Sequence, residues 1–469
     1  MYDVIVMGAG PAGATAALET SQAGLKTLLI DEQPDAGGQV WRAKSRAIIS
    51  APETEYSIAG DDLRASIRGS NVEVKYHTRV WQIEKNDDDH WLLGLQGEGQ
   101  RQVSGKSLVI ATGAQERVIP VPGWILPGVF GLAGATALFK EHMMVPGRRT
   151  IVSGNGPLLF YVASEILRLG GQVSAVVSLN SRFDWLKALP AMINNPKLIM
   201  QGIRWILALY KNSVPIYWQH TIKSVEGKTA VEGATITAVD REWRLLEHGE
   251  RYIPSESICQ GHGLIPAIEA TRLAGAAHHF DEKLGGWVPT VDEFGRATVP
   301  GLYACGDNAG ILGADAAPHR GRLAAKAILD DLDISATVNI DDKAYHSARK
   351  FGLAATRLTI PRAGFESFMT ANTEVCRCEG ISRAEIDHEL KTGARSPNAV
   401  KSGTRCGMGP CGGRYCNESL TIITEHRTGK NRSEIGMATA RPPLRPVHMD
   451  DLADDLDYDD LPIPGVSPL

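Results

Sequence analysis

Apolar and polar positions along the N-terminal stretch change period twice within thirty residues. Tyr2 to Met7 carries the β-branched run Val4-Ile5-Val6, which predicts a short buried strand. Alanine-rich sequence from Ala14 to Gln22 predicts a helix, and Thr27 to Ile30 a second strand. Further strands are predicted at Leu108 to Ile110, Thr150 to Val152, Val173 to Val177 and Gly301 to Ala304. Strands alternating with helices predict an α/β chain. No apolar run reaches the 18 or so residues that a spanning helix needs. The nearest stretch, Leu198 to Tyr210, is interrupted by Gln201 and Arg204.

Length and composition change this picture little. At 469 residues, two or three domains of roughly 100–200 residues each are expected. The net charge of −5 gives no reason to expect nucleic acid as a partner. Met1-Tyr2-Asp3 leads straight into the first strand, with no basic region and no cleavage site. A cytoplasmic location is expected.

The segment between the first strand and helix is Gly8-Ala9-Gly10-Pro11-Ala12-Gly13. Strand, G-x-G-x-x-G and helix together form a dinucleotide-binding unit. Gly8 allows the tight turn, Gly10 lets backbone approach a pyrophosphate, and Gly13 lets helix and strand pack closely. The helix N-terminus then faces the phosphate charge. The second strand ends in Asp31-Glu32, an acid placed for a ribose 2′-hydroxyl.

Two later turns specify the dinucleotide. Leu108 to Ile110 runs into Ala111-Thr112-Gly113, and Leu302-Tyr303-Ala304-Cys305 runs into Gly306-Asp307. With these, the chain resembles the two-dinucleotide-domain flavoproteins, the family of thioredoxin and glutathione reductases. That resemblance implies FAD bound by Gly8, Gly10, Pro11, Ala12 and Gly13, and by Asp31, Glu32 and Gln33. It puts Gly38, Gln39 and Val80 near the adenosine half. Ala111, Thr112 and Gly113 would form a second turn, and Gly306 and Asp307 would meet the ribityl chain. It implies an FAD domain over 1–125 and 253–335, interrupted by a Rossmann-like domain over 126–252.

The inserted unit departs from the pattern. Gly154-Asn155-Gly156-Pro157-Leu158-Leu159 has leucine where the third glycine belongs. The following strand ends in Ser178-Leu179-Asn180, with no acid for an NAD ribose. The expectation is a domain that keeps its fold without nicotinamide binding. Arg182, a candidate for an NADP phosphate, is read as a surface residue. No C-x-x-C lies between residues 1 and 258, and Cys259 and Cys305 read as small buried side chains, so disulfide reduction is disfavoured.

Five of the seven cysteines crowd the C-terminal part: Cys376, Cys378, Cys406, Cys411 and Cys416. Without a secretion signal, such crowding points to metal rather than disulfides. Iron–sulfur and zinc are both candidates by spacing, although C-x-C is unusual for zinc fingers. Glycines at 407, 409, 412 and 413 can turn N–H groups toward cluster sulfurs. Cys406/Cys411 and Cys411/Cys416 have the same spacing, so either can form the second pair. Between the cysteine pairs, Ser382-Arg383-Ala384-Glu385 is a capping box for a helix running to about Thr392, with Gly393 as its stop.

V-C-R-C-E-G at 375–380 and R-C-G-M-G-P-C-G-G-R-Y-C at 405–416 resemble the bacterioferritin-associated ferredoxin-like [2Fe–2S] module. With the flavoprotein part, the chain is similar to the α subunits of heteromeric amino-acid-type dehydrogenases. These include opine oxidases, proline and hydroxyproline dehydrogenases, and hydrogen cyanide synthase. The resemblance implies Cys376, Cys378, Cys406 and Cys411 as ligands, in a [2Fe–2S] domain over 373–435 after a connector over 336–372. It implies an FAD-containing β subunit that binds substrate, FMN at the α/β interface, a small third subunit in some complexes, and an external electron acceptor. That acceptor would make any membrane association peripheral. In some relatives the first site holds ATP or NAD, and the Gly8 turn with Asp31 accepts any adenine dinucleotide. A self-contained NAD(P)H reductase and a non-catalytic scaffold are the alternative functions.

Residues 181–218, rich in Trp, Leu and Ile, are expected to pack in a core or an interface. His262 and His319, beside glycines, read as turn residues rather than catalytic groups. The tail over 436–469 holds Arg441-Pro442-Pro443-Leu444-Arg445-Pro446 and seven aspartates between 450 and 460, and is expected to be extended on a partner or disordered.

Overall fold

The computed structural model describes residues 1–99, 101–193 and 195–452. The first unit runs β1 (Tyr2–Met7), α1 (Pro11–Gln22), β2 (Thr27–Ile30), α2 (Glu55–Arg68), β3 (Glu73–Lys75), β4 (Arg79–Lys85), β5 (Trp91–Gln96), β6 (Gln102–Ile110) and β7 (Ala114–Glu116). Its sheet has the order β3-β2-β1-β6-β5-β4, with β1 parallel to both β2 and β6. Val4, Ile5 and Val6 are fully buried because layers cover both faces of the strand. Pro11 starts α1 where its missing N–H costs nothing, and Gly10 precedes it in an extended conformation.

The second unit follows as β8 (Val129–Gly131), α3 (Leu132–Ala137), β9 (Arg149–Gly154), α4 (Pro157–Arg168), β10 (Gln172–Ser178), α5 (Arg182–Met192), α6 (Pro196–Lys211), β11 (Ile216–Trp218), β12 (His220–Glu226), β13 (Gly233–Ala238), β14 (Arg251–Pro254) and β15 (Ser257–Gly261). Its parallel sheet has the order β11-β10-β9-β15-β8. A return to the first unit at residue 253 is therefore too early, because β15 still pairs with β9 and β8. Leu159, in place of the third glycine, is fully buried in an apolar cluster with Val152 and Val176. Part of 181–218 packs in the core, with Leu209 and Val214 in the cluster of Leu159. On α5 and α6 and the turn between them, Phe183, Leu186, Ile193, Met200, Leu207 and Tyr210 are each more than half exposed.

The chain then re-enters the first unit. β16 (Leu264–Pro266) pairs with β7, α7 (Glu269–Leu273) follows, and β17 (His278–Asp281) and β18 (Gly286–Pro289) form a hairpin. β19 (Leu302–Ala304) joins β6 in parallel. α8 (Ala317–Asp331) lies against α1 so closely that a Cβ on Gly321 would fall 2.2 Å from the Ala12 carbonyl oxygen.

α9 (Asp342–Arg357) leads to the cysteine-rich part: β20 (Glu374–Cys376), β21 (Ile381–Ser382), α10 (Arg383–Thr392), α11 (Pro397–Thr404), α12 (Asn417–Thr428), α13 (Arg432–Ile435) and α14 (Met449–Leu452). α10 begins at the Ser382/Glu385 capping box and stops at Gly393, φ 123°. This part shares one apolar core with the second unit, where Ile151 and Val177 belong to the same cluster as Val375, Ile386 and Leu420. Trp124 Nε1 donates to the Glu374 carbonyl at 2.7 Å. Arg117, 2 % exposed, pairs with Glu418 at 3.0 Å, and Arg432 reaches the same carboxylate at 2.6 Å. Burial opposes ionisation of Glu418, but Arg432 and Arg117 hold it below its ordinary range.

The described part of the tail contacts its own chain. Leu444 N–H donates to the Trp81 carbonyl at 2.9 Å, and Gln96 donates to Asp451 at 2.8 Å. The Leu444 side chain packs on the cluster of Tyr2, Ile5 and Val80, which gives the segment an apolar anchor. The aspartates from 454 onward lie outside the described residues. No helix among the described residues is long and apolar enough to cross a membrane.

Candidate dinucleotide cavity and cysteine centre

A cavity of about 440 Å³ opens beyond the ends of β1, β2, β6 and β19. The glycine turn supplies Gly8, Gly10, Pro11 and Ala12 to its wall, and the end of β2 supplies Asp31, Glu32 and Gln33. Gly38, Gln39 and Val80 line one side, Ala111, Thr112 and Gly113 another, and Gly306 and Asp307 a third. Of the residues expected to bind a dinucleotide, Gly13 alone is off the wall. A Cβ there would lie 2.0 Å from the Gly8 carbonyl oxygen, so its place is in helix–strand packing. Gly8 has φ +105°, and a Cβ would fall 2.4 Å from Ala111 O. Gly10 differs: its nearest neighbour is Gly38 Cα at 3.9 Å, so a side chain there would take cavity space rather than core space. Bare backbone at the start of α1, with no acid in the first turn, fits a pyrophosphate.

The two acids after β2 are not equivalent. Asp31 accepts from Ala9 N–H at 2.6 Å and Gln33 N–H at 2.8 Å, and burial raises its carboxyl above the usual range. It braces the glycine turn. Glu32 is the freer carboxylate on the wall, with Arg79 at 3.7 Å and Arg445 at 3.6 Å. Asp307 accepts from Leu312 and Gly313 N–H, both at 3.0 Å, and burial raises its carboxyl too.

Several groups on this wall carry no sequence motif. Glu116 accepts from Ala133 N–H at 3.0 Å, and desolvation pushes its carboxyl up to about 8. Lys140 donates to the Gln39 and Val40 carbonyls at 3.1 and 3.0 Å, and burial brings its ammonium down to about 8. Leu444 and Arg445 reach the wall from the tail, and Arg414 from the cysteine-rich loop. Arg414 donates to the carbonyls of Cys411 at 2.8 Å and Leu444 at 3.1 Å, and pairs with Glu269 at 3.4 Å. Only the burial of long cationic side chains between units hints at such residues, and burial is a tertiary property.

All five C-terminal cysteines converge. The Sγ atoms of Cys376, Cys406 and Cys416 lie within 4.8 Å of one another, and Cys378 lies beside Cys411. Hydrogen bonds from Cys406 and Cys416, with N–H groups of Gly407 and Glu379, pull Cys376 down to about 2. Paired thiols with backbone donors fit an iron–sulfur centre. Cys416, left aside by the resemblance, lies within the same 4.8 Å group as Cys376 and Cys406. Cys259 and Cys305 are buried elsewhere, and desolvation raises both thiols, that of Cys305 to about 12.

The second glycine turn is covered by the chain itself. Asn180, where an NAD-type domain carries its ribose acid, accepts from Gly156 N–H at 3.0 Å and donates to the Leu358 carbonyl at 2.9 Å. Thr359 sits on the turn, its Cγ2 only 2.6 Å from where a Gly156 Cβ would be. Arg117 holds the Thr359 carbonyl at 2.8 Å.

Neither His262 nor His319 lines the dinucleotide cavity. His262 is fully buried against Phe365 and accepts from Ile119 N–H at 3.3 Å, and burial lowers it to about 3. His319 lies inside α8 beside Tyr345. Arg182 is exposed at the start of α5.

Residues 2–329 match the pyridine nucleotide-disulphide oxidoreductase family, and residues 374–425 the BFD-like [2Fe-2S] binding domain. The opine oxidase A subunit of Rhizobium meliloti (strain 1021) is 33% identical over 97% of this chain and 99% of its own. The chain belongs to the opine oxidase A-subunit family of pyridine nucleotide-disulphide oxidoreductases. The corresponding opine oxidase protein of Agrobacterium tumefaciens (strain Ach5) is 32% identical over 96% of this chain and 91% of its own. Hydrogen cyanide synthase subunit HcnB of Pseudomonas aeruginosa is 28% identical over 94% and 96%. The structure of L-proline dehydrogenase from P. horikoshii shares the fold, with a TM-score of 0.72 over 97% of this chain and 79% of that one, at 23% identity. Membership of the opine oxidase A-subunit family makes this an oxidoreductase of flavoprotein type, with Rossmann-type sheets and a BFD-like segment. The opine oxidase and hydrogen cyanide synthase relatives are named as subunits.

Proposed function

We propose that the chain is the electron-transfer α subunit of a heteromeric FAD/FMN/[2Fe–2S] dehydrogenase. A partner β subunit with its own FAD oxidises a C–N bond of an amino-acid-type substrate: an opine, proline or hydroxyproline, or glycine. FMN belongs at the interface of the two subunits, and an external acceptor takes the electrons. A flavin accepts two electrons and releases them singly, whereas a [2Fe–2S] centre carries one. In this reading the first cavity takes FAD, with Gly10 and the start of α1 against the pyrophosphate, Glu32 toward the ribose and Asp307 toward the ribityl chain. Cys376, Cys378, Cys406 and Cys411 hold the iron–sulfur centre.

The observation that carries this reading is Arg414. One guanidinium on the cavity wall bonds the backbone of Cys411, which supports a reading in which the two redox sites are neighbours. The covered second turn supports the same reading. With Asn180 and Thr359 on Gly156, a nicotinamide dinucleotide lacks its phosphate cradle, which argues against a self-contained NAD(P)H reductase. The exposed apolar side chains of α5 and α6 supply a face for the β subunit. Co-expression with neighbouring reading frames and co-purification tests it. A second flavin-containing chain should travel with this one, and amine-oxidising activity should need both. Activity of this chain alone would contradict the proposal.

A further inference from the structure

Between Arg441 and Pro446 the tail turns two side chains inward. Leu444 and Arg445 are half-buried, while Arg441, Pro442, Pro443 and Pro446 are exposed. Both inward residues line the dinucleotide cavity, and they meet it at one end. Leu444 N–H donates to the Trp81 carbonyl at 2.9 Å, next in sequence to Val80 on the wall. Arg445 Nε lies 3.6 Å from Glu32 Oε2, the oxygen that Arg79 reaches at 3.7 Å. Val80 and Glu32 belong to the adenosine half of the site in the flavin reading above. Resting on that reading, we propose that Leu444 and Arg445 are binding residues for the adenosine half of the dinucleotide, carried on a strap that must lift for the ligand to enter or leave.

The strap is tied at both ends. Arg272 donates to the Ala438 carbonyl, Asn398 and Thr439 exchange hydrogen bonds at 2.9 and 3.0 Å, and Gln96 donates to Asp451 at 2.8 Å. In its middle, Leu444 packs on the cluster of Tyr2, Ile5 and Val80, and Arg414 donates to its carbonyl at 3.1 Å. Pro442, Pro443 and Pro446 have no N–H, so the stretch cannot extend the sheet at its edge strand β4, and it forms neither helix nor strand. A segment held by side chains and isolated backbone bonds opens at lower free energy than the sheet beneath it. The two inward residues suit an adenosine. Leucine offers an apolar surface to a purine face. Arg445 and Arg79 both engage Oε2 of Glu32, which leaves Oε1 to accept from a ribose hydroxyl.

The test uses the full chain with its bound flavin, as wild type, Leu444→Asp, Leu444→Met and Arg445→Ala. Flavin release on dilution, and FAD uptake by the stripped proteins, are followed by flavin fluorescence. Leu444→Asp should release flavin at least tenfold faster than wild type, and Arg445→Ala at least threefold faster. Uptake should quicken at least threefold in both, because a cover slows entry as well as exit. Leu444→Met keeps an apolar side chain and should keep the wild-type rates. Arg445→Ala alters only a partly exposed ion pair, so it stays folded and carries the test should Leu444→Asp not fold. Faster release with unchanged uptake would mark a loosened site rather than a removed cover and would overturn the proposal. Wild-type release from folded Leu444→Asp or from Arg445→Ala would overturn it too. A wild type that neither retains nor takes up flavin would overturn the flavin reading of the cavity itself, which the wild-type flavin content reports separately.

Discussion

Arg414 Nη1 donates to the Cys411 carbonyl oxygen at 2.8 Å, while its guanidinium lines the cavity beneath the first glycine turn. Its other bonds, to Leu444 O and Glu269, tie the cysteine loop to the tail and to α7. Charge-assisted hydrogen bonds contribute about 1.5–3 kcal/mol each when partly buried. Arg414→Ala should loosen the loop without emptying the glycine cavity. Hydrogen exchange should rise at least tenfold over residues 409–416 and stay unchanged in β1 and α1. Arg414→Lys should recover little, because an ammonium cannot serve three acceptors through a planar fork. Equal protection in wild type and Arg414→Ala would show that the arginine does not hold the loop.

Gly10 and Gly8 separate binding from folding. A Cβ on Gly10 meets nothing closer than 3.9 Å, whereas one on Gly8 strikes Ala111 O at 2.4 Å in a left-handed conformation. Gly10→Val should fold normally and retain less than a tenth of the flavin. Gly8→Ala should cost stability directly, by about 1–3 kcal/mol of strain. Urea unfolding of flavin-stripped proteins distinguishes them. A destabilised Gly10→Val would show that this glycine serves packing.

Glu418 is buried between Arg117 and Arg432. Removing it leaves Arg117 without its carboxylate and Arg432 with Glu425 alone, and breaking such a buried pair costs about 3–5 kcal/mol. Glu418→Ala should show that loss in chemical denaturation, and the cysteine-rich part should become the first region to exchange. A loss below about 1 kcal/mol, the scale of an exposed pair, would contradict this account of how the parts are joined.

The first cavity is legible in the sequence because its chemistry is local. A strand, a glycine turn and a helix occupy adjacent residues, and Gly8, Gly10 and Gly13 do work set by their own backbone. The same locality makes the Ser382 capping box and the Gly393 stop readable. What escapes is long-range. Asn180 meets Leu358 across 178 residues, so the sequence shows a missing acid but not the segment that covers the turn. The spacing of Cys406, Cys411 and Cys416 is symmetric, and only three-dimensional proximity puts Cys416 beside Cys376. The tail's proline and aspartate content says nothing of Leu444, whose side chain finds an apolar cluster at Val80. The end of the inserted unit is hidden because β15 is a short buried strand, Ser257–Gly261, with no marker for the sheet it joins.

His262 gives a pH dependence of defined sign. Its imidazole ordinarily titrates near 6.5, but burial lowers it to about 3 in the folded chain. Between those values the unfolded chain binds one more proton, so folding stability falls as pH drops below about 6.5. The slope from this group is about 1.4 kcal/mol per pH unit. His262→Gln should be less stable than wild type at pH 7.5, where it loses packing on Phe365, and should lose stability less steeply between pH 6 and 4. Denaturant midpoints across that range check it. Parallel pH profiles would show that His262 does not titrate on unfolding.

The central claim is that electrons do not enter through the second glycine turn, where Asn180 and Thr359 cover Gly156. Anaerobic mixing of the purified chain with excess NADH or NADPH, followed at the flavin absorption band, tests it most directly. The account predicts that the flavin stays oxidised over minutes and bleaches only when the co-purifying partner and its amine substrate are supplied. Bleaching of the isolated chain by either nicotinamide within a second would contradict it.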